Sequence, residues 1–193
     1  MTATVDGVEL TAHPTITFVP GAVSALTSTV VATPDTGVIA DNVALSTVTV
    51  TVLDAFSNPI PGATVAVAAS GSANTLSTPA PTDGSGKTTV TLKSTKAETK
   101  TITAKVGTTT LPTATVTFVP GPVSPDVSTV EVSPTTNPVA DGSTARTITV
   151  KALDAYSNPI PNKTVVLAVS SAGDAAKNTL VQPAAPTDAA GLA

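Results

Sequence analysis

The 193 residues include no cysteine and no tryptophan, and His13 is the only histidine. Without Cys there are no disulfide frameworks, no thiolate metal sites and no thiol nucleophiles. That absence fits either side of a membrane. A lone His beside Pro14, with no second His or Cys, cannot build a zinc site. As a catalytic base it would need a nucleophile and an orienting acid held near it. No Gly-x-Ser-x-Gly elbow and no Gly-rich phosphate loop occurs. Aromatic residues are 2% of the chain, one Tyr and three Phe, so any core must be built from Val, Ile, Leu and Ala. Sugar-stacking surfaces, which want exposed Trp or Tyr, have almost nothing to draw on.

Charge is equally scarce, at 11% Asp, Glu, Lys and Arg, below the usual quarter. Nine basic residues stand against thirteen acidic ones, for a net charge of −4. Releasing counterions from phosphates takes a basic face, so nucleic acid is excluded as a partner. No apolar run approaches the roughly 20 residues of a membrane-spanning helix. Met1–Asp6 lacks the basic and apolar regions of a secretory signal, so any signal or anchor is expected to lie outside this sequence.

What the chain does have is Thr and Val. Thr makes up about a fifth of the residues, and 41% are hydrophobic. β-Branched side chains are stiff at χ1 and suit a pleated, half-buried surface. Seventeen prolines and twelve glycines punctuate the chain and argue against long helices. The composition predicts an all-β fold.

A repeat organises the sequence. Leu53-Asp-Ala-Phe-Ser-Asn-Pro-Ile-Pro-Gly62 recurs one hundred positions on as Leu153-Asp-Ala-Tyr-Ser-Asn-Pro-Ile-Pro-Asn162. Ile16-Thr-Phe-Val-Pro-Gly21 recurs as Val116-Thr-Phe-Val-Pro-Gly121 at the same offset. Ala80-Pro-Thr-Asp83 returns as Ala185-Pro-Thr-Asp188 after a small insertion around 172–177. Within a unit the period is two. Thr47–Val52, Ala63–Val67, Thr88–Leu92, Thr101–Val106 and Ala114–Phe118 alternate or carry short β-branched runs, as do Thr147–Val150 and Lys163–Leu167. About seven short strands with turn signals every 8–12 residues predict an immunoglobulin-like β-sandwich of about 100 residues, in tandem.

The register divides the chain into residues 1–21, the terminal strands of a preceding, truncated repeat; 22–121, a complete repeat; and 122–193, a repeat lacking its last strands. Exposed apolar faces and unpaired edges at such ends invite head-to-tail self-association. Phe118–Pro125 joins two units with three prolines, a semi-rigid connection.

Asp54 and Asn58, with Asp154 and Asn158 in the second copy, could serve as calcium ligands. The competing reading is a turn, because Asx side chains cap their own backbone and Pro restricts the residue before it. Asp83 and Asp188 read as hairpin turns with Gly86 and Gly191 at positive φ. Asp35, Asp41, Asp126, Glu131 and Asp141 are candidates for a calcium site where they approach the preceding unit's end loops, against the alternative of solvated charges. Tyr156, aligned with Phe56, is expected to pack in the core or against its turn. The Thr47, Thr49, Thr51 array would need a flat surface to match ice, and sheet twist works against that.

The motifs Thr47–Gly62, Thr82-Asp-Gly-Ser-Gly86 and Thr88–Leu92, with Asp154, Asn158, Pro159, Pro161, Thr187, Asp188 and Gly191, resemble the bacterial immunoglobulin-like domains of group 1, the repeats of invasin- and intimin-like adhesins. The resemblance covers essentially the whole chain. It implies an extracellular or cell-surface location on a bacterium and a non-catalytic spacer, a stalk of stacked sandwiches whose partners are its own neighbouring repeats. No catalytic, cofactor-binding or metal residue is assigned, with calcium at the junctions the one cofactor left open. Two readings compete with the spacer. One is an adhesive module whose loops contact a receptor or polysaccharide; the other is an accessory domain of a secreted hydrolase or phage structural protein.

Overall fold

Alternation of Val with Thr along the sequence becomes alternation of burial along the strands. A computed structural model describes residues 1–137, 139, 141–169 and 178–193, and these contain strands and no helix. In β5 (Ser46–Thr51) Ser46, Val48 and Val50 face inward while Thr47, Thr49 and Thr51 face out. β8 (Lys87–Ser94) and β9 (Thr99–Val106) obey the same rule. Thr supplies the wet face and a stiff β-compatible backbone, and Val supplies the dry face.

The strands form two facing sheets. One has the order β3 (Thr29–Thr33), β5, β8, β7 (Asn74–Leu76), all antiparallel. In the other, β9 pairs on one side with β6 (Val65–Ala69) and on the other with β10 (Thr109–Thr110) and β11 (Ala114–Val119). β4 (Val38–Ile39) joins the outer edge of β11 in parallel, Phe118 opposite Val38. The first strand of the sandwich thus starts in one sheet as β3 and finishes in the other as β4. Buried between the sheets are valines 30, 38, 48, 50, 52, 65, 90 and 116 with Leu92, Ile102, Leu111 and Phe118. Two sheets with one aliphatic core and strands that cross between them make an immunoglobulin-like sandwich.

This routing gives the sandwich two poles. At the entry pole, Ser28 at the start of β3 exchanges hydrogen bonds with Leu53, and Gly21 meets Asp54. At the exit pole, Ala40 donates to the Val119 carbonyl and Asn42 to that of Ser94. Asp41 therefore lies at the pole that Tyr156 reaches, on the side of the sandwich where the chain leaves it. Its expected approach to a preceding unit is corrected, because a strand that traverses the whole sandwich ends at the opposite pole from where it began.

Outside the sandwich the sheets are two-stranded. β1 (Thr4–Val5) and β2 (Val8–Glu9) form a fully exposed hairpin. β12 (Thr129–Ser133) pairs with β13 (Thr147–Lys151), as β3 pairs with β5, and Val150 exchanges two backbone bonds with Ala193. Lys163–Leu167, expected as a strand, is paired to no strand among the described residues. β6, its counterpart, pairs only with β9. Instead the Gln182 side chain bridges the N–H and C=O of Leu167, both at 2.8 Å. The expected insertion at 172–177 lies outside the described residues.

Candidate functional site: the entry turn and the junction

The Leu-Asp-Ala-aromatic-Ser-Asn-Pro motif folds into a closed turn fastened by one carboxylate. Asp54 Oδ1 accepts from the backbone N–H groups of Phe56 and Asn58, both at 2.9 Å. Its Oδ2 accepts from Asn58 Nδ2 at 2.9 Å and from Gly21 N–H at 2.8 Å. A carboxylate has about four acceptor sites, and here all are used. Asp54 is a turn lock that also ties down the incoming chain at Gly21. The Asn58 amide and then the Gly21 N–H stabilise its charged form, and its pKa falls to about 2.

Asp154 repeats the arrangement bond for bond. It accepts from Tyr156 and Asn158 N–H, from Asn158 Nδ2 and from Gly121 N–H, at 2.8–3.0 Å. Ser57 and Ser157 both take φ of 64° at the tip of the turn. Burial raises the Asp154 pKa, but the donors Asn158, Gly121 and Tyr156 outweigh it and the net direction is downward. In each copy a Gly closes the turn from below. A Cβ on Gly86 or Gly191 would lie 2.5 Å from the carbonyl oxygen of Val52 or Ala152. Both glycines also have positive φ, so two independent constraints exclude a side chain there.

The two copies differ in what lies against them. Asn158 is completely buried, because the exit pole of the sandwich is seated on it. Its Oδ1 accepts from Ala97 N–H and its Nδ2 donates to the Thr95 carbonyl, both at 2.9 Å. Every polar atom of the Asn158 side chain is thereby satisfied, by one bond within its own turn and two across the junction. Tyr156 is half-exposed, and its hydroxyl donates to the Asp41 carbonyl at 3.1 Å. It is neither in the core nor folded on its own turn; it spans to the neighbour. Ala40, Asp41, Gly121, Pro122, Asp154, Ala155 and Tyr156 line a shallow crevice at this seam.

The acidic candidates do not converge. Asp41 caps the N–H groups of Val43 and Ala44, which hold its pKa down, Ala44 contributing most. Asp141 does the same for Ser143 and Thr144, and Asp83 for Ser85 and Lys87. Asp188 accepts from Ala190 and Leu192. Asp35, Asp126 and Glu131 are exposed. Among the described residues no three His, Cys, Asp or Glu side chains group as a metal site would require. His13 is exposed on the segment between β2 and β3.

Lys100 was not singled out from sequence. It is wholly buried, and its ammonium donates to the Ser72 carbonyl at 2.6 Å and pairs with Glu98. The Lys100 contact holds the Glu98 carboxyl below its ordinary range, helped by the Ser72 N–H. The signal was available in the period of two, since Lys100, Ile102 and Ala104 share the inward face of β9.

The fold and these turn locks define an immunoglobulin-like β-sandwich module. Residues 27–119 match the family model of the bacterial Ig-like domain, group 1. The structure of the chain is similar to that of invasin, described as a bacterial integrin-binding protein, with 28% identity and a TM-score of 0.64. That similarity covers 84% of this chain and 33% of the other. It is also similar to InvD of Yersinia pseudotuberculosis (25% identity, TM-score 0.61), over 83% of this chain and 50% of that one. The Yersinia pseudotuberculosis adhesin InvE matches at 28% identity and a TM-score of 0.51, over 72% of this chain and 38% of its own. The chain thus spans between a third and a half of these structures. No curated protein sequence matches it.

Proposed function

We propose that this chain is a non-catalytic spacer of a bacterial surface or secreted adhesin-like protein, holding a distal binding module away from its anchor. Residues 22–121 form one complete unit of the stalk, 122–193 begin the next, and 1–21 belong to the end of the one before. The observation that carries this reading is the junction clamp of Asn158 on Thr95 and Ala97. Side-chain hydrogen bonds across the seam, with Gly121 fastened to Asp154 and prolines 120, 122 and 125 beside it, leave little freedom for one unit to swing on the other. A spacer needs that stiffness. No cofactor is assigned, since the stiffness comes from hydrogen bonds and proline.

Neighbouring units of the same kind are its partners. Separate molecules also associate head to tail on this reading, because Ile16, Phe18 and Val19 are exposed here while the matching Val116 and Phe118 are buried in the sandwich. A concentration-independent monomer in sedimentation overturns that part alone.

Small-angle scattering of the chain with calcium and then with chelator tests the spacer reading. The expected result is an elongated particle of unchanged dimensions in both. A particle that becomes compact or flexible in chelator would place calcium at the junction, and one compact in both would remove the spacer role.

A further inference from the structure

The entry turn of the first sandwich is built like the one at Asp154, and among the described residues nothing is seated on it. Asp54, Asn58 and Gly21 reproduce the inner hydrogen bonds of Asp154, Asn158 and Gly121. The outer half differs. Asn158 is fully buried and Asn58 is exposed. Leu153 and Ile160 are buried where Leu53 and Ile60 are only partly covered. Phe56, in the place of Tyr156, is 87% exposed. Leu26, beside Thr27 whose hydroxyl donates to the Asp54 carbonyl, is almost completely exposed. An exposed apolar ring and an exposed amide with a free donor and acceptor sit two residues apart on this turn, at the positions that one hundred residues later are seated on a neighbour.

We propose that the face formed by Phe56, Asn58 and Leu26 is a docking surface for a preceding sandwich unit of this same fold, which would place its counterpart of the Thr95–Ala97 loop against Asn58. This inference rests on the spacer reading and names the contact through which each unit recognises the one before it. The occupant is fixed by chemistry. Asn58 offers Oδ1 and one Nδ2 proton at a set spacing, and the Thr95 carbonyl with the Ala97 N–H is the pair that satisfies the same atoms of Asn158. Gly21, held by Asp54 as Gly121 is held by Asp154, brings the incoming chain to the same side of the turn. Phe56 has no hydroxyl, so this junction would keep the amide clamp and the apolar contact but not the bond that Tyr156 makes to Asp41.

The test duplicates the folded unit within the full chain, inserting a second copy of residues 22–121 between Gly21 and Ala22. Asn58 of the second copy then faces a complete preceding sandwich, Asn58 of the first does not, and Asn158 is the engaged reference. Side-chain amide exchange followed by NMR reads all three in one molecule. Expected is a slowing of exchange at the second Asn58 by at least about tenfold, approaching Asn158, with the first unchanged. Equal, fast exchange at both copies overturns the proposal. Asn58→Ala in the second copy should restore fast exchange at Ala97 of the first. Because Asn58 also fastens Asp54, the unmutated comparison carries the decision. Scattering on the same sample separates the two readings. An elongated particle with unprotected Asn58 leaves the spacer and removes this contact; a compact particle with protected Asn58 does the reverse.

Discussion

Replacing Asn158 with Ala removes the whole side-chain clamp, and its effect can be worked out bond by bond. Two bonds across the seam are lost, Ala97 N–H to Oδ1 and Nδ2 to the Thr95 carbonyl, along with one to Asp154 within the turn. A neutral hydrogen bond is worth about 1 kcal/mol net, and a buried group left without a partner costs about 1–3 kcal/mol. Water can reach the seam once it loosens, which limits the cost of orphaning Ala97 and Thr95. The junction should therefore weaken by about 2–3 kcal/mol, or roughly 30- to 150-fold in its opening equilibrium. Amide exchange at Ala97 reads this directly, because its N–H is held by Asn158 and is released only when the seam opens. Asn58→Ala is the matched control. It removes the same bond within its turn and touches nothing across the junction, so Ala97 exchange should not change. If Ala97 exchanges at the same rate with and without Asn158, the amide does not clamp the junction and the reasoning fails.

The geometry leads to three further outcomes. Gly86→Ala should destabilise the sandwich by more than about 2 kcal/mol, since strain at positive φ adds to a backbone clash, whereas Gly62→Ala, at φ of 71° with open space around it, should cost only about 1 kcal/mol; thermal unfolding of both variants distinguishes them. Lys100→Ala should cost about 3 kcal/mol by taking the cation from Glu98 and the donor from the Ser72 carbonyl beside a cavity, while Lys100→Met should recover part of the loss by filling it; equal denaturant midpoints for the two would contradict this account. Asp54 has a folded pKa of about 2 against an ordinary 3.8, so the unfolded chain binds more protons in that interval and stability falls as pH drops through it. Unfolding measured from pH 6 downward should show a plateau and then a decline beginning near 4. Asp54→Asn should make that decline shallower, with the remainder coming from Asp41, Glu98 and Asp154, which the fold also holds down.

Much of the sandwich was legible in the sequence because burial there is a local, periodic property. Thr47–Val52 alternates in sequence and alternates in exposure, and β5, β8, β9 and β11 fall within one or two residues of where the pattern placed them. The Asp-x-x-x-Asn-Pro turn was equally readable, since an Asx side chain capping its own backbone needs only its immediate neighbours. The shorter strands β4, β7 and β10 have too few residues to show a period and form only because a partner strand offers backbone groups to pair with. Lys100 showed its inward register, but its pairing with Glu98 and with Ser72, 28 residues away, depended on how the loops close. What the sequence could not give was the junction. Asn58 and Asn158 sit in nearly identical local sequences, so nothing in the turn motif around either tells them apart. Only the tertiary structure buries one against Thr95 and Ala97, more than 60 residues distant, and leaves the other open. It also sends Asp41 to the exit pole, because that position depends on the path of the first strand across both sheets rather than on any residue near it.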